Sequence, residues 1–152
     1  MKKKISLLVA ICQVIISSAQ QTAIYKDPQS TFKEATAYFQ KEQYSLAYPL
    51  FKELEQHLME TDKANLTVTS QEIEYYFTVC ALMQNEGRAE DKAIEYIDLE
   101  KNTARVQMMN FHLGEYYYRN QKFTDAANRY EQTNIVNLSN REIADMKFHQ
   151  GY

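Results

Sequence analysis

The sequence predicts an all-α protein made of paired helices, and three observations lead there. Chain breakers are scarce, with three glycines and two prolines in 152 residues, which favours uninterrupted helices over turn-rich sheets. Apolar residues make up 45% of the chain, ample for a packed core. One spacing also recurs. From Ala35, the residues Tyr38, Tyr44, Ala47 and Phe51 fall at +3, +9, +12 and +16; from Gly114, Tyr117, Phe123, Ala126 and Tyr130 fall at the same offsets.

The first stretch lies outside the fold. Lys2, Lys3 and Lys4 precede an almost wholly apolar run, Ile5–Ile16, and Ser17-Ser18-Ala19 supplies small residues before Gln20. This is the layout of a secretory signal peptide over residues 1–19. An uncleaved anchor is the alternative, but a transmembrane span needs about 20 apolar residues. Cys12 suggests lipidation, against which stands the bulky Ile11 before it. Cleavage would remove three lysines and no acid, so the formal net charge moves from −3 to −6. An acidic body argues against general nucleic-acid binding. It would also leave Cys80 as the sole cysteine, a buried small hydrophobe with no disulfide partner in the chain.

Residues 20–29 read as a leader, with Pro28 opening the first helix. Thr31 and Glu34 have capping-box spacing, and Phe32, Ala35, Tyr38 and Phe39 form a helical stripe. After a bend near Lys41, Ser45 is the expected N-cap of a second helix carrying Ala47 and Phe51. Pro49 then falls early enough for a lost amide bond to be tolerated. An insertion of about a dozen residues is expected around 58–69. Thr69 and Glu72 cap a third segment with its stripe at Ile73, Tyr76, Phe77, Cys80 and Ala81; Gly87 breaks it, and Ala93 and Ile97 follow. This second unit carries Gln84 and Glu90 where the others carry aromatics, so its first helix should end early or its pair pack more loosely. Residues 103–134 give the clearest pair, bent between Arg119 and Phe123, with Thr124 as the expected N-cap. Gly114 sits inside a helix, where glycine costs about 1 kcal/mol against alanine. Close approach of the second helix, through Ala126, would explain it. A last helix begins at Ser139 with Glu142 and runs through Ile143, Ala144, Met146 and Phe148 to Gly151.

Leu113-Gly114-x-x-Tyr117 followed by Ala126-x-x-x-Tyr130 resembles the tetratricopeptide repeat, a helix–turn–helix unit of about 34 residues. Asn110 stands where the family carries tryptophan, and no proline closes the unit. The resemblance implies helical hairpins stacked in a right-handed α-solenoid. Its units would be about 30–60, 69–101 and 103–135, with the first helix of a fourth at 139–152. Repeat-packing positions would be Ala35, Tyr38, Ala47 and Phe51, then Ala81 and Ala93, then Leu113, Gly114, Tyr117, Ala126 and Tyr130. Gly151 lies 37 residues after Gly114 and Ala81 lies 33 before it. Ending on an unpaired first helix implies the front of a longer protein.

No catalytic constellation, cofactor motif or metal-ligand spacing stands out. His57, His112 and His149 fall in different units and lack zinc-site spacing; His112 reads as a helix-surface or interface residue. There is no phosphate loop, nucleophile elbow or zincin helix. The acidic Glu86–Asp91 stretch reads as a solvated turn, since it lacks EF-hand spacing. Asn65-Leu66-Thr67 and Asn137-Leu138-Ser139 match the glycosylation sequon, which matters only in a eukaryotic secretory host.

Binding remains. In a solenoid the first helices line a concave surface, and positions beside Ala35 and Gly114 point toward it. This makes Phe32, Phe39, Phe111, Tyr118 and Arg119 candidates for a peptide-binding groove, the alternative being that the aromatics pack against a neighbouring hairpin. In Tyr116-Tyr117-Tyr118 only Tyr117 suits the core, because successive helix residues project about 100° apart. The expected function is an exported scaffold for protein–protein interactions in a bacterial periplasm or at the outer membrane, without catalysis by this region. A recruitment or sensor region of a larger envelope enzyme, and a glycan-handling outer-membrane protein, are the alternatives.

Overall fold

Helices account for nearly all the described chain, which in this computed structural model covers residues 27–60 and 70–151. The signal segment, most of the leader, Thr69 and the Asn65 sequon lie outside the described residues. There are seven α-helices among them and no strand: α1 (Pro28–Gln40), α2 (Tyr44–Glu60), α3 (Ser70–Met83), α4 (Ala89–Leu99), α5 (Thr103–Arg119), α6 (Phe123–Glu131) and α7 (Asn140–Gln150). A 3-10 turn, Ile135–Asn137, precedes α7. Each helix packs on its chain neighbour, and α1, α3, α5 and α7 also pack in succession.

Three turns share one hydrogen-bond pattern. In the α1–α2 turn, the Gln43 amide donates to the Tyr38 carbonyl and the Glu42 amide to that of Phe39. Glu86 and Asn85 do the same to Ala81 and Leu82 after α3, and Lys122 and Gln121 to Tyr117 and Tyr118 after α5. This is a Schellman ending, which needs a left-handed residue just past the helix. Glu42, Asn85 and Gln121 take that role with φ of 56°, 57° and 61°. No glycine has a positive φ, so Gly87, the expected breaker, is not the residue that bends the chain. Relative to the small residue, α3 stops two positions after Ala81, whereas α1 and α5 run five beyond Ala35 and Gly114. The first helix of the second unit therefore ends earlier relative to its small residue, and the turn after it is longer.

Several helix starts differ from expectation. Asp27 caps α1 by accepting from the Ser30 amide, with Pro28 in the first turn, so Thr31 lies inside the helix and is buried. The first bonds of α2, from Leu46 and Ala47, run to the Gln43 carbonyl, which puts Ser45 inside the first turn. Pro49 then removes a true intrahelical bond, to the Ser45 carbonyl; Ser45 is exposed, so water reaches that oxygen. Lys122 precedes α6 without a side-chain cap, and Thr124 is one residue within. The Ser139–Glu142 capping box is present, with both reciprocal bonds formed.

The core lies along α3. Six consecutive residues of that helix, Phe77 to Leu82, are buried, as befits a helix covered on all sides. Ile73, Phe77 and Cys80 pack with Ala35, Ala47, Phe51 and Leu54 of the first pair. Val79, Ala81 and Leu82 face the other way, toward Ala93, Leu113, Tyr117, Ala126 and Tyr130. Burial pushes the Cys80 thiol up to about 12, leaving it protonated and unreactive at neutral pH.

Candidate functional site

The five groove candidates all meet other parts of the chain. Phe32 and Phe39 are half-buried, and their rings contact Phe51 of α2 and Tyr76 of α3, the Phe39–Tyr76 centroids being 4.8 Å apart. Phe111 is 3% exposed and packs near Tyr130, so its assignment to a ligand groove is corrected to the core. Tyr118 lies under His149 of α7, the two rings stacked at 3.6 Å. Arg119 donates to the carbonyls of Leu82 (2.9 Å) and Met83 (3.5 Å) at the end of α3. One regularity survives: Phe39 meets Tyr44, and Tyr118 meets Phe123, edge-on at 5.4 Å in both pairs.

Contacts between the second and third turns explain the odd residues of the second unit. Glu90 accepts from the Tyr117 hydroxyl and from the Lys122 ammonium, each at 2.9 Å. The Lys122 hydrogen bond is the main reason its carboxyl is held below the usual range; burial, then Glu90, pushes the Tyr117 phenol up to about 12. Asn120 reaches Asn85, while Gln84 reaches back to the Tyr44 carbonyl. Gln84 and Glu90 thus join neighbouring turns, and in the shared turn pattern Ala81, not Gln84, stands where Tyr38 and Tyr117 stand. Arg119 adds a second donor to the Leu82 carbonyl, which the Asn85 amide already reaches, and a donor to the Met83 carbonyl at the end of α3. Arg119→Met is therefore expected to destabilise the chain by about 0.5–1.5 kcal/mol, read as a lower urea midpoint at unchanged slope; an unchanged midpoint would show the contact to be idle.

At the other side of α5, the Tyr130 ring occupies the space a side chain at Gly114 would need. A Cβ there would sit 2.6 Å from the ring. The close approach thus comes from Tyr130, not from Ala126 as the spacing suggested. The Tyr130 hydroxyl donates to Glu115 at 2.6 Å. His149 Nδ1 lies 2.9 Å from the same carboxylate oxygen and 3.1 Å from the hydroxyl, a set satisfied with the proton on Nδ1. Burial, then Glu115, raises the Tyr130 phenol. Asn110 is buried, accepts from Arg129 and donates to the Val106 carbonyl.

His112 takes the interface alternative: it is buried where α5 meets Tyr75 of α3. It is 5% exposed, with Nδ1 unpartnered and Tyr75 beside it. Burial lowers its pKa to about 4, so the imidazole is neutral at physiological pH. Nothing reactive adjoins it on the described contacts, and its sequence signal was only Phe111 and Leu113 on either side.

Chemistry and homology add no site. Among the described residues, no group of three His, Cys, Asp or Glu is placed to hold a metal ion, and no helix is long and apolar enough to cross a membrane. No family model, curated protein or solved structure matches the chain. The arrangement is one of mutual packing, with polar side chains joining consecutive helix pairs.

Proposed function

We propose that the chain is an exported helical-repeat scaffold of the tetratricopeptide type, a right-handed solenoid that docks segments of partner proteins in the bacterial envelope without chemistry of its own. The observation carrying this reading is the shared offset series. Ala35, Ala47 and Phe51 in one pair, and Tyr117, Ala126 and Tyr130 in the other, are all buried, and each pair closes with the same left-handed turn. Stacked helix pairs make an extended surface suited to partner binding, although a fold alone does not fix a function. The docking surface would be the face lined by α1, α3 and α5, where Tyr118 and Arg119 sit.

Affinity capture from an envelope fraction tests the reading, comparing the native chain with Tyr118→Ala and with Glu95→Ala on the exposed face of α4. Capture of a partner that Tyr118→Ala loses and Glu95→Ala keeps supports docking at the inner face. Capture that neither substitution alters, or no partner at all, overturns it.

A further inference from the structure

We infer that α7 is an internal occupant of the docking face, a strap that must be released before a partner segment can reach Tyr118. The inference rests on the scaffold reading for what the face binds; the geometry of the strap stands independently. At its N-terminal end, Arg141 lies 3.2 Å from Glu42 in the α1–α2 turn, 99 residues away in sequence. At its C-terminal end, His149 stacks on Tyr118 and meets Glu115 and Tyr130. One helix of 11 residues therefore reaches the first turn, α5 and α6.

What sits on Tyr118 shows what a partner would have to present. His149 supplies a flat ring over the tyrosine and an N–H toward Glu115. A partner segment carrying histidine or arginine offers the same pair of features, since a guanidinium is planar, stacks on aromatic faces and bonds carboxylates.

The strap is lightly held. Only Met146 of α7 is fully buried, whereas α5 buries seven residues. Arg141 and Glu42 are 75% and 60% exposed, and Arg141 is shared with Asp145 at 3.9 Å. Exposed pairs of this kind contribute little, which leaves the His149 stack and its bonds as the main clasp. Segments with few buried groups open locally, well before the whole fold does.

Amide hydrogen exchange on the full chain tests this without reference to any partner, so a failed capture and a failed release are separate results. In the native protein, α7 amides should exchange at least about tenfold faster than those of α3 and α5. His149→Ala should raise α7 exchange by about another tenfold and leave α1–α3 unchanged, while His149→Phe, which keeps the stack but not the N–H, falls between. Exchange of α7 and α5 as one unit, an unaltered α7 in His149→Ala, or an equal rise in every helix overturns the strap.

Discussion

Alanine at position 114 is expected to destabilise the chain while Tyr130 is present and to stabilise it once Tyr130 is gone. With Tyr130 in place, a new methyl would sit 2.6 Å from a ring that is 2% exposed. The ring cannot swing aside, because its hydroxyl is bonded to Glu115 and His149. Overpacking of this kind costs about 1–3 kcal/mol, and the helix propensity regained from glycine is about 1 kcal/mol. Gly114→Ala should therefore lose up to about 2 kcal/mol, the difference of those two effects. Tyr130→Ala alone should lose about 3–5 kcal/mol, as a buried aromatic leaves a cavity. In the double variant the methyl enters that cavity, so Gly114→Ala now adds stability, by up to about 1 kcal/mol. A reversal of sign between backgrounds is a coupling that independent sites cannot give. Urea unfolding of the four proteins measures it; simple additivity would show that the ring does not rest on the glycine.

That glycine also marks the limit of what the sequence discloses. Apolar periodicity was enough to find the helices and the faces that meet, because burial in paired helices follows the 3.6-residue period. Residues such as Ala35, Leu113 and Tyr117 lie in the core for that reason. The helix starts were less legible. Ser45 and Thr124 have good capping chemistry, yet α2 and α6 begin before them, because the preceding Schellman turn has already fixed where the chain turns back. Nor does composition reveal the left-handed positions, which fall on Glu42, Asn85, Arg88 and Gln121 rather than on glycine.

The inner face was the least legible part. Which neighbour a side chain meets depends on how one helix pair is rotated against the next, and no local pattern encodes that rotation. Phe111 and Phe39 share a stripe with core residues, so their spacing could not separate a groove from packing. Arg119 carried no signal for the end of α3, some 36 residues earlier. Gln84 and Glu90 did carry one, as departures from the aromatic pattern, but their partners became visible only with the turns side by side.

His112 should make the protein acid-sensitive in a defined window. Its imidazole ordinarily titrates at 6.5 and is lowered to about 4 in the fold by burial, with Glu142 favouring the proton and Arg119 opposing it. Between these values the unfolded chain binds a proton that the folded chain does not, so stability rises with pH through the window and falls on acidification. The neutral form's contribution is complete above 6.5, declines as pH drops, and levels off below 4. The full loss is about 3–4 kcal/mol, taking each pH unit as about 1.4 kcal/mol. Glu90 and Glu100 are held below their ordinary 4.5, so what they contribute is present above that value and is lost further down, as pH falls through their folded-state values. His112→Leu keeps an apolar side chain of similar size and removes the unpartnered Nδ1. It should be close to neutral at pH 7 and should flatten the decline between 6.5 and 4.5. Denaturant midpoints across that range decide the matter: an equally steep fall in His112→Leu would assign the acid response to other groups.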